Sequence, residues 1–257
     1  MRLLQSLSLL LLTVTITSAS QFMRTPAGLI KGARLTYVSG TTVKVGVGYG
    51  DDAGDYWEIG ASDTYNTTGY TLTGLSTSTL GVVQYIYIDR TNSSFPSITL
   101  TNSTTAPVWS DSYMGWYNGS NRCIAAVWVQ PSGSVINFTC PADDIYIFPG
   151  VTLLVDHVFS TTPNVWHTFD CTPYAPVNAS AVRLAQDLNG GSWTFCMSGM
   201  WANGGLAVVE YGNSAGSDVQ GWMQFPRGVT KSVQYQAWAS STSGTEYLYY
   251  MAYQLER

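Results

Sequence analysis

Residues 122–140 read RCIAAVWVQPSGSVINFTC, two apolar runs on either side of Pro131-Ser132-Gly133. Alternating apolar runs around a Pro/Gly turn predict a β-hairpin. If Cys123 lies opposite Cys140, then Ala125 opposes Phe138, Val127 opposes Ile136 and Val129 opposes Ser134, all on one face. Side chains alternate along a strand, so that register makes one face almost wholly apolar. It places Ile124, Ala126, Trp128 and Asn137 on the other face, with Asn137 in the sequon Asn137-Phe138-Thr139. Core, glycan and disulfide all fit one register, which predicts an exported all-β protein.

The first twenty residues, MRLLQSLSLLLLTVTITSAS, carry one charge at Arg2, a leucine-rich run and small residues at Ser18 and Ser20. This is the pattern of a secretory signal peptide, and its apolar run is too short to span a bilayer. The chain is therefore expected outside the cell, with no membrane span. Four cysteines, Cys123, Cys140, Cys171 and Cys196, then imply two disulfides. Hairpin symmetry favours Cys123 with Cys140, leaving Cys171 with Cys196, each bridge stabilising by about 3 kcal/mol. Sequons at Asn66, Asn92, Asn102, Asn118, Asn137 and Asn178 are candidate glycosylation sites and should be exposed if used.

Only 11% of the 257 residues are charged, whereas Tyr, Trp, Ser, Thr and Gly abound. Such a composition favours pleated, half-buried strands over solvated helices. A net charge of -5 without a basic run excludes nucleic acid and anionic membrane as natural partners.

Beyond the signal peptide, residues 21–33 contain Pro26 and two glycines without a period, and read as an extended arm able to pair with a neighbouring subunit. Residues 34–149 form a β-rich N-terminal domain, with strands at Arg34–Ser39, Thr42–Tyr49, Tyr70–Leu75, Gly81–Ile88 and Ser97–Thr101. Thr104–Tyr117 reads as an aromatic loop, and Pro149-Gly150 marks the boundary. Residues 150–257 supply eight short strands separated by Gly/Ser turns, the pattern of a jelly-roll-like sandwich. In the last strand Tyr247, Tyr249, Met251 and Tyr253 alternate with Leu248, Tyr250, Ala252 and Gln254, which predicts a central strand buried on both faces. The fold class is thus all-β: two antiparallel β-sandwich domains with almost no helix.

Catalytic spacing is missing. His157 and His167 lie within predicted strands and have no zinc-ligand spacing. No nucleophile elbow or phosphate loop occurs. Carboxylates for sugar hydrolysis, which needs an Asp/Glu pair flanking one bond, are available at Asp143, Asp144, Asp156, Asp170 and Glu210, but nothing in their spacing pairs them. Asp51, Asp52 and Asp55 around a glycine are a weak calcium candidate that lacks EF-hand spacing. No cofactor is expected. What remains is aromatic surface, because exposed Trp or Tyr can stack on sugar rings or anchor interfaces. Trp109, Trp116 and Trp201, all in loop-like contexts, are the candidate ligand-contact aromatics.

The segment Val165-Trp-His-Thr-Phe-Asp170 followed by Asn178-Ala-Ser-Ala-Val-Arg-Leu184 resembles a pattern of bacteriophage tail-fibre and tail-associated proteins. There a "W-x-x-[VF]-D" strand precedes a "VP-x-x-A-x-A-V-x-L" segment. The closing Ser232–Leu255 is similar to the ends of the same proteins, and Gly28-Leu29, Arg34-Leu35-Thr36, Val83–Ile88 and Arg122–Ala125 match fibre landmarks more loosely. The resemblance implies a β-sandwich attachment or surface protein, often trimeric, without chemistry of its own. The signal peptide, cysteines and sequons depart from that family, whose members assemble in the cytoplasm. The expected function is therefore a secreted structural or adhesive subunit of an extracellular assembly, on a cell surface, in a matrix or on a virion, binding copies of itself or surface glycans. The alternatives are a monomeric carbohydrate-binding module and, third, a glycoside hydrolase.

Overall fold

The computed structural model describes residues 28–60, 69–75, 81–130, 132–142, 144–159, 167–189, 196–202, 207–212, 216–227, 230–239 and 244–257. Within the strands at 150–159, 187–189, 196–202, 207–212, 216–219, 236–239 and 244–246 it describes the backbone alone. The expected signal peptide, the sequon at Asn66 and the first part of the arm lie outside the described residues.

The described chain is all-β, and its strands pair antiparallel throughout. The first six strands, β1 (Ile30–Gly32), β2 (Leu35–Ser39), β3 (Thr42–Val45), β4 (Gly48–Asp52), β5 (Asp55–Ile59) and β6 (Tyr70–Thr73), make two three-stranded sheets ordered β1-β4-β5 and β2-β3-β6. Strands β7 (Val82–Ile88), β8 (Leu100–Ser103), β9 (Val108–Ser110), β10 (Gly115–Asn118) and β11 (Asn121–Val129) make a sheet ordered β8-β7-β11-β10-β9. The rest are β12 (Thr139–Ala142), β13 (Ile145–Phe159), β14 (His167–Asp170), β15 (Ala179–Asn189), β16 (Cys196–Ala202), β17 (Ala207–Gly212), β18 (Gly216–Gln224), β19 (Ser232–Ala239) and β20 (Gly244–Leu255). They form a five-stranded sheet ordered β12-β13-β20-β15-β18 and a four-stranded sheet ordered β14-β19-β16-β17.

The expected hairpin is corrected in two ways. Near the turn it is one residue out of the expected register: Val129 faces Val135, and Ile136 N–H donates to the Trp128 carbonyl at 3.0 Å. It then ends, because β7 pairs with β11 from Cys123 to Val129 and Thr139–Ala142 goes to β13 instead. The apolar run Val82–Ile88 is a longer complementary partner than the short return strand. Every residue from Arg122 to Val129 is buried, so β11 has a core on both faces, whereas Asn137 is exposed outside the ladder.

The boundary expected at Pro149-Gly150 falls inside β13, which runs through it. Apolar packing is likewise continuous: one cluster contains Val83, Ile86 and Trp128 together with Val182, Leu184, Tyr250 and Tyr253. Across it Trp128 meets Tyr250 edge-on at 6.1 Å, and the Tyr253 hydroxyl donates to the Ala126 carbonyl at 2.8 Å. The described end of the arm is also used internally, since Ile30–Gly32 pairs with Gly48–Gly50 of β4. The expected aromatic loop contains the β9-β10 hairpin, turned at Met114 with φ +50°.

Strand β20 is central, as expected, but only one of its faces is core. A bulge between β15 and β20 exchanges its faces near Met251. Leu248, Tyr250, Tyr253 and Leu255 consequently point inward, while Tyr247, Tyr249 and Gln254 point outward.

Candidate functional site

The outward face of β18, β15 and β20 gathers Trp222, Tyr247 and Tyr249 with the amides of Gln220, Gln224 and Gln254. Its register is direct. Gln224, Ala181 and Gln254 share one row; Trp222, Arg183 and Ala252 share the next; Gln220, Ala185 and Tyr249 share the third. Residues paired across strands lie on the same face. Met223, Val182, Leu184 and Tyr250 on the opposite face are buried in the core, which fixes this one outward.

Trp222 is 37% exposed, and Gln220, Gln224 and Gln254 are exposed beside it. The Arg183 guanidinium donates to Gln220 Oε1 at 3.0 Å, holding an amide and a cation together next to the indole. Tyr247 and Tyr249 stack at 6.1 Å and 28° along β20. Ala181, Ala185 and Ala252 lie low between these larger groups and make a floor. From strand spacing and rise, Trp222 and Tyr249 stand about 12 Å apart across this floor. Apolar ring faces flanked by amide donors and acceptors suit a ligand that is itself apolar on its faces and hydroxylated at its edges. Sequence reading missed these residues by treating the tyrosines as core. The signal lay in Gln220-Gly-Trp222-Met-Gln224, where exposed polar and aromatic residues alternate with buried Met223.

The three tryptophans singled out from sequence do not come together. Trp116 is 5% exposed and is core, which corrects its assignment. Trp109 packs edge-on against it at 5.7 Å, donates its indole N–H to Asp111 Oδ1 at 2.7 Å, and has Arg227 over its ring at 3.5 Å. Arg227 in turn is ion-paired with Glu256. The stacking face of Trp109 is thus occupied by the chain's own arginine. Trp201 lies on β16, and its side chain is outside the described residues.

The acidic run is a tight hairpin, not a calcium loop. Ala53 and Gly54 between β4 and β5 have φ of +55° and +94°, the two-residue primed turn that matches strand twist. Arg90 supplies the cation: Nη1 lies 3.0 Å from the fully buried Asp52 carboxylate, and Nη2 pairs with Asp55. Asp51 Oδ1 accepts from the N–H groups of Gly28 and Gly54. Among the described residues no group of three or more His, Cys, Asp or Glu is arranged to hold a metal ion.

Burial pushes the Asp52 carboxyl above its ordinary value, outweighing the lowering by Arg90, Tyr117 and Arg122. A raised folded-state value means that the folded chain binds the proton more tightly, so the Asp52 contribution to stability is fully present at low pH. It is lost as pH rises through the folded value. Arg90→Ala should therefore cost about 2 kcal/mol at pH 7, less than a fully buried pair because Arg90 is part-exposed. At pH 3, below the ordinary carboxylate value that Asp52 exceeds, the cost should be much smaller, since a protonated Asp52 needs no counter-ion. Urea unfolding at both pH values tests this, and an equal loss at both would show that charge is not the reason.

Three described cysteines, Cys123, Cys140 and Cys171, are free thiols. Cys123 Sγ–H donates to the Ala125 carbonyl at 3.4 Å and Cys140 Sγ–H to that of Ala142 at 3.1 Å, each along its own strand. The expected Cys123–Cys140 bridge is absent because β11 and β12 belong to different sheets. Burial pushes the Cys123 and Cys171 thiols up to about 12, which makes both poor nucleophiles. The side chain of Cys196 is outside the described residues.

Of the sequons, Asn92 and Asn137 are exposed, and Asn102 and Asn118 are half-buried. Asn178 is corrected: it is 1% exposed, with Nδ2 donating to the Glu256 carbonyl at 3.4 Å, and the folded chain leaves no room for a sugar there. Among the carboxylates considered for hydrolysis, Asp144 is ion-paired with Arg257 and Asp170 accepts from the Thr172 N–H at 2.8 Å. Asp143 and the side chains of Asp156 and Glu210 are outside the described residues. Half-buried His167 packs at a tilt against Tyr235, with ring centroids 5.5 Å apart, and the side chain of His157 is not described. No described helix is long and apolar enough to cross a membrane.

No protein-family model and no curated protein sequence matches the chain. Among solved structures, similarity is found to the CBM22-1 xylan-binding domain of Paenibacillus barcinonensis Xyn10C, at 10% identity over 45% of this chain and 88% of that one, with a TM-score of 0.23. The functional form of the mosquito-larvicidal Cry4Aa toxin from Bacillus thuringiensis is similar over 87% of this chain and 51% of that one, at 7% identity and a TM-score of 0.23. At these values neither likeness carries function.

Proposed function

We propose that this chain is an extracellular adhesive β-protein that binds carbohydrate on the outward face of β18, β15 and β20 and does not cleave it. One observation carries the reading: Trp222 stands exposed among Gln220, Gln224, Gln254 and Arg183, with Tyr247 and Tyr249 stacked on the same face. Exposed aromatic rings usually cost solubility, and a face that keeps them among amides is suited to stacking and hydrogen bonding with a sugar. A self-assembling role now has less support, because Ile30–Gly32 of the expected arm pairs with the chain's own β4. A glycoside hydrolase gains no support from Asp144 and Asp170, the candidate carboxylates whose side chains are described, because one is ion-paired with Arg257 and the other accepts from the Thr172 amide.

The test is a glycan array followed by calorimetry on the best binder. Trp222→Ala should lower affinity about tenfold or more, the effect of removing a stacking anchor worth over 1.4 kcal/mol. Its circular dichroism should be unchanged, because the ring is outside the core. No new reducing ends should appear on prolonged incubation. Wild-type affinity in Trp222→Ala would overturn the site, and release of reducing ends would overturn the non-catalytic reading.

A further inference from the structure

We propose that the outer face of the β1-β4-β5 sheet is the contact through which two copies of this chain pair, about a two-fold axis running along β4. The face is laid out in rows. Leu29, Asp51 and Tyr56 share one row, and Lys31, Tyr49 and Glu58 share the next. Tyr49 is 40% exposed, Tyr56 is 41% exposed, and Val47, two residues before Tyr49, is 52% exposed. The two tyrosine rings lie 6.3 Å apart at 37°. The other face of the sheet is core, since Trp57 is fully buried and a Cβ on Gly50 would come within 2.7 Å of its indole. Apolar side chains are thus held outward on a sheet whose inner face is already packed.

Charge decides what covers them. Lys31 and Glu58 stand on either side of Tyr49, two strand spacings or about 10 Å apart, too far to pair with each other. No ion pair between described residues involves either one, and Glu58 accepts only the Tyr56 hydroxyl, at 3.1 Å. A half-turn about an axis along β4, between two such faces, carries the β1 side of one copy over the β5 side of the other. Lys31 of each copy then meets Glu58 of the other, Tyr56 meets Leu29, and Tyr49 and Val47 each meet their own kind. This is the isologous pattern, in which each contact occurs twice. An axis across the strands would instead set Lys31 on Lys31 and Glu58 on Glu58, so the charges select the first arrangement. Asp51 lies on the axis but is turned into the sheet, 6% exposed, with Oδ1 accepting from the Gly28 and Gly54 N–H groups.

The contact is small. Three strands by three rows, with the breadth of their side chains, cover about 250 Å² on each copy. A standard stable interface covers about 800 Å² on each partner. The pairing is therefore weak and reversible, and it matters where copies are concentrated on one surface. It needs no exchange of the N-terminal arm, because Ile30–Gly32, paired with its own β4, supplies the Lys31 edge of the face. Nor does it depend on the sugar reading, since Trp222 lies on another sheet.

Sedimentation equilibrium of the purified chain from about 10 µM to about 1 mM should show monomer giving way to dimer. The dimer should weaken as NaCl is raised from about 50 mM to about 500 mM. Lys31→Glu and Glu58→Lys should each lower association about fivefold or more, because each sets like charges together in both halves of the contact. Their thermal midpoints should stay near that of the wild type, since both side chains lie outside the core. Mixing the two variants should restore a dimer containing one copy of each, because every charge pair across the axis is then of opposite sign. Trp222→Ala should associate like the wild type, which keeps a failure here apart from a failure of the sugar site. A monomer at every concentration, association insensitive to salt, or a mixture that associates no better than its components would overturn the proposal. The wild-type salt series decides the matter even where a variant fails to fold.

Discussion

Trp128→Ala should lower stability by about 3–5 kcal/mol, the loss expected when a fully buried tryptophan is truncated. Trp128 is 1% exposed and sits on β11, whose other contacts are already core on both faces. Its ring meets Tyr174 edge-on at 5.7 Å, Tyr250 edge-on at 6.1 Å and Phe148 at 6.4 Å. Those three residues come from the sheets and turns after Thr139, so the indole joins the first eleven strands to the rest. Because its neighbours are rings fixed by their own contacts, among them Phe148 with Tyr250 and Tyr253, the cavity left by alanine cannot collapse. For a chain of this size the loss amounts to a drop of about 6–20 °C in the thermal midpoint. Trp128→Phe keeps the apolar contact and removes an indole N–H that has no hydrogen-bond partner, so it should cost much less. Calorimetry should show one transition moving in both variants. Two separate wild-type transitions, with only one sensitive to Trp128, would mean that the halves unfold independently.

The strands with self-evident patterns were legible in the sequence. Val82–Ile88 and Asn121–Val129 are β-branched, aromatic runs that need burial whatever their neighbours, and both are interior strands. Alternation at Leu35–Ser39 and Thr42–Val45 gave a hairpin that the structure contains. What could not be read was long-range. Nothing local tells Cys123 that Tyr87, and not Cys140, will lie opposite, because β7 and the return strand offer the same kind of apolar surface. The pairing of β13 with β20 joins residues as distant in the chain as Ile145 and Gln254. The acidic hairpin was hidden by composition: Gly48–Asp52 is glycine-rich and acidic and Asp55–Ile59 carries two more carboxylates, and they pair as strands because Ala53-Gly54 turns and Arg90 neutralises. The candidate site was hidden by one residue. Without the bulge at Met251, strict alternation puts Tyr247 and Tyr249 on the same face as Tyr253, which reads as core. With it, Tyr253 goes inward and the other two are left outside on the face that carries Trp222.

Gly115→Ala should cost about 3 kcal/mol, although alanine is among the least demanding of substitutions. A Cβ at Gly115 would come within 2.6 Å of Arg122 Cζ and 2.9 Å of Nη2, and closer still to Nη1. Arg122 is fully buried and cannot retreat. Its Nη2 donates to the Gly28 carbonyl at 2.7 Å, its Nη1 to the Tyr117 hydroxyl at 3.2 Å, and its guanidinium lies 5.5 Å from the Tyr117 ring centroid. Gly28 is equally constrained, with φ +79° and the Met114 carbonyl where a side chain would be. Displacing the guanidinium would therefore free the start of β1 and leave a charge without its hydrogen-bonded acceptors. Gly119, with φ +61° and open space around it, is the control: Gly119→Ala should lose only the backbone strain of about 1 kcal/mol. The decisive measurement is a double-mutant cycle with Arg122→Met. If the cost of Gly115→Ala comes from the guanidinium, it should largely vanish in that background, and amide exchange of Ile30–Gly32 should be fast in both single variants. An undiminished cost in the cycle would place the effect in the β10 backbone and sever Arg122 from the anchoring of β1.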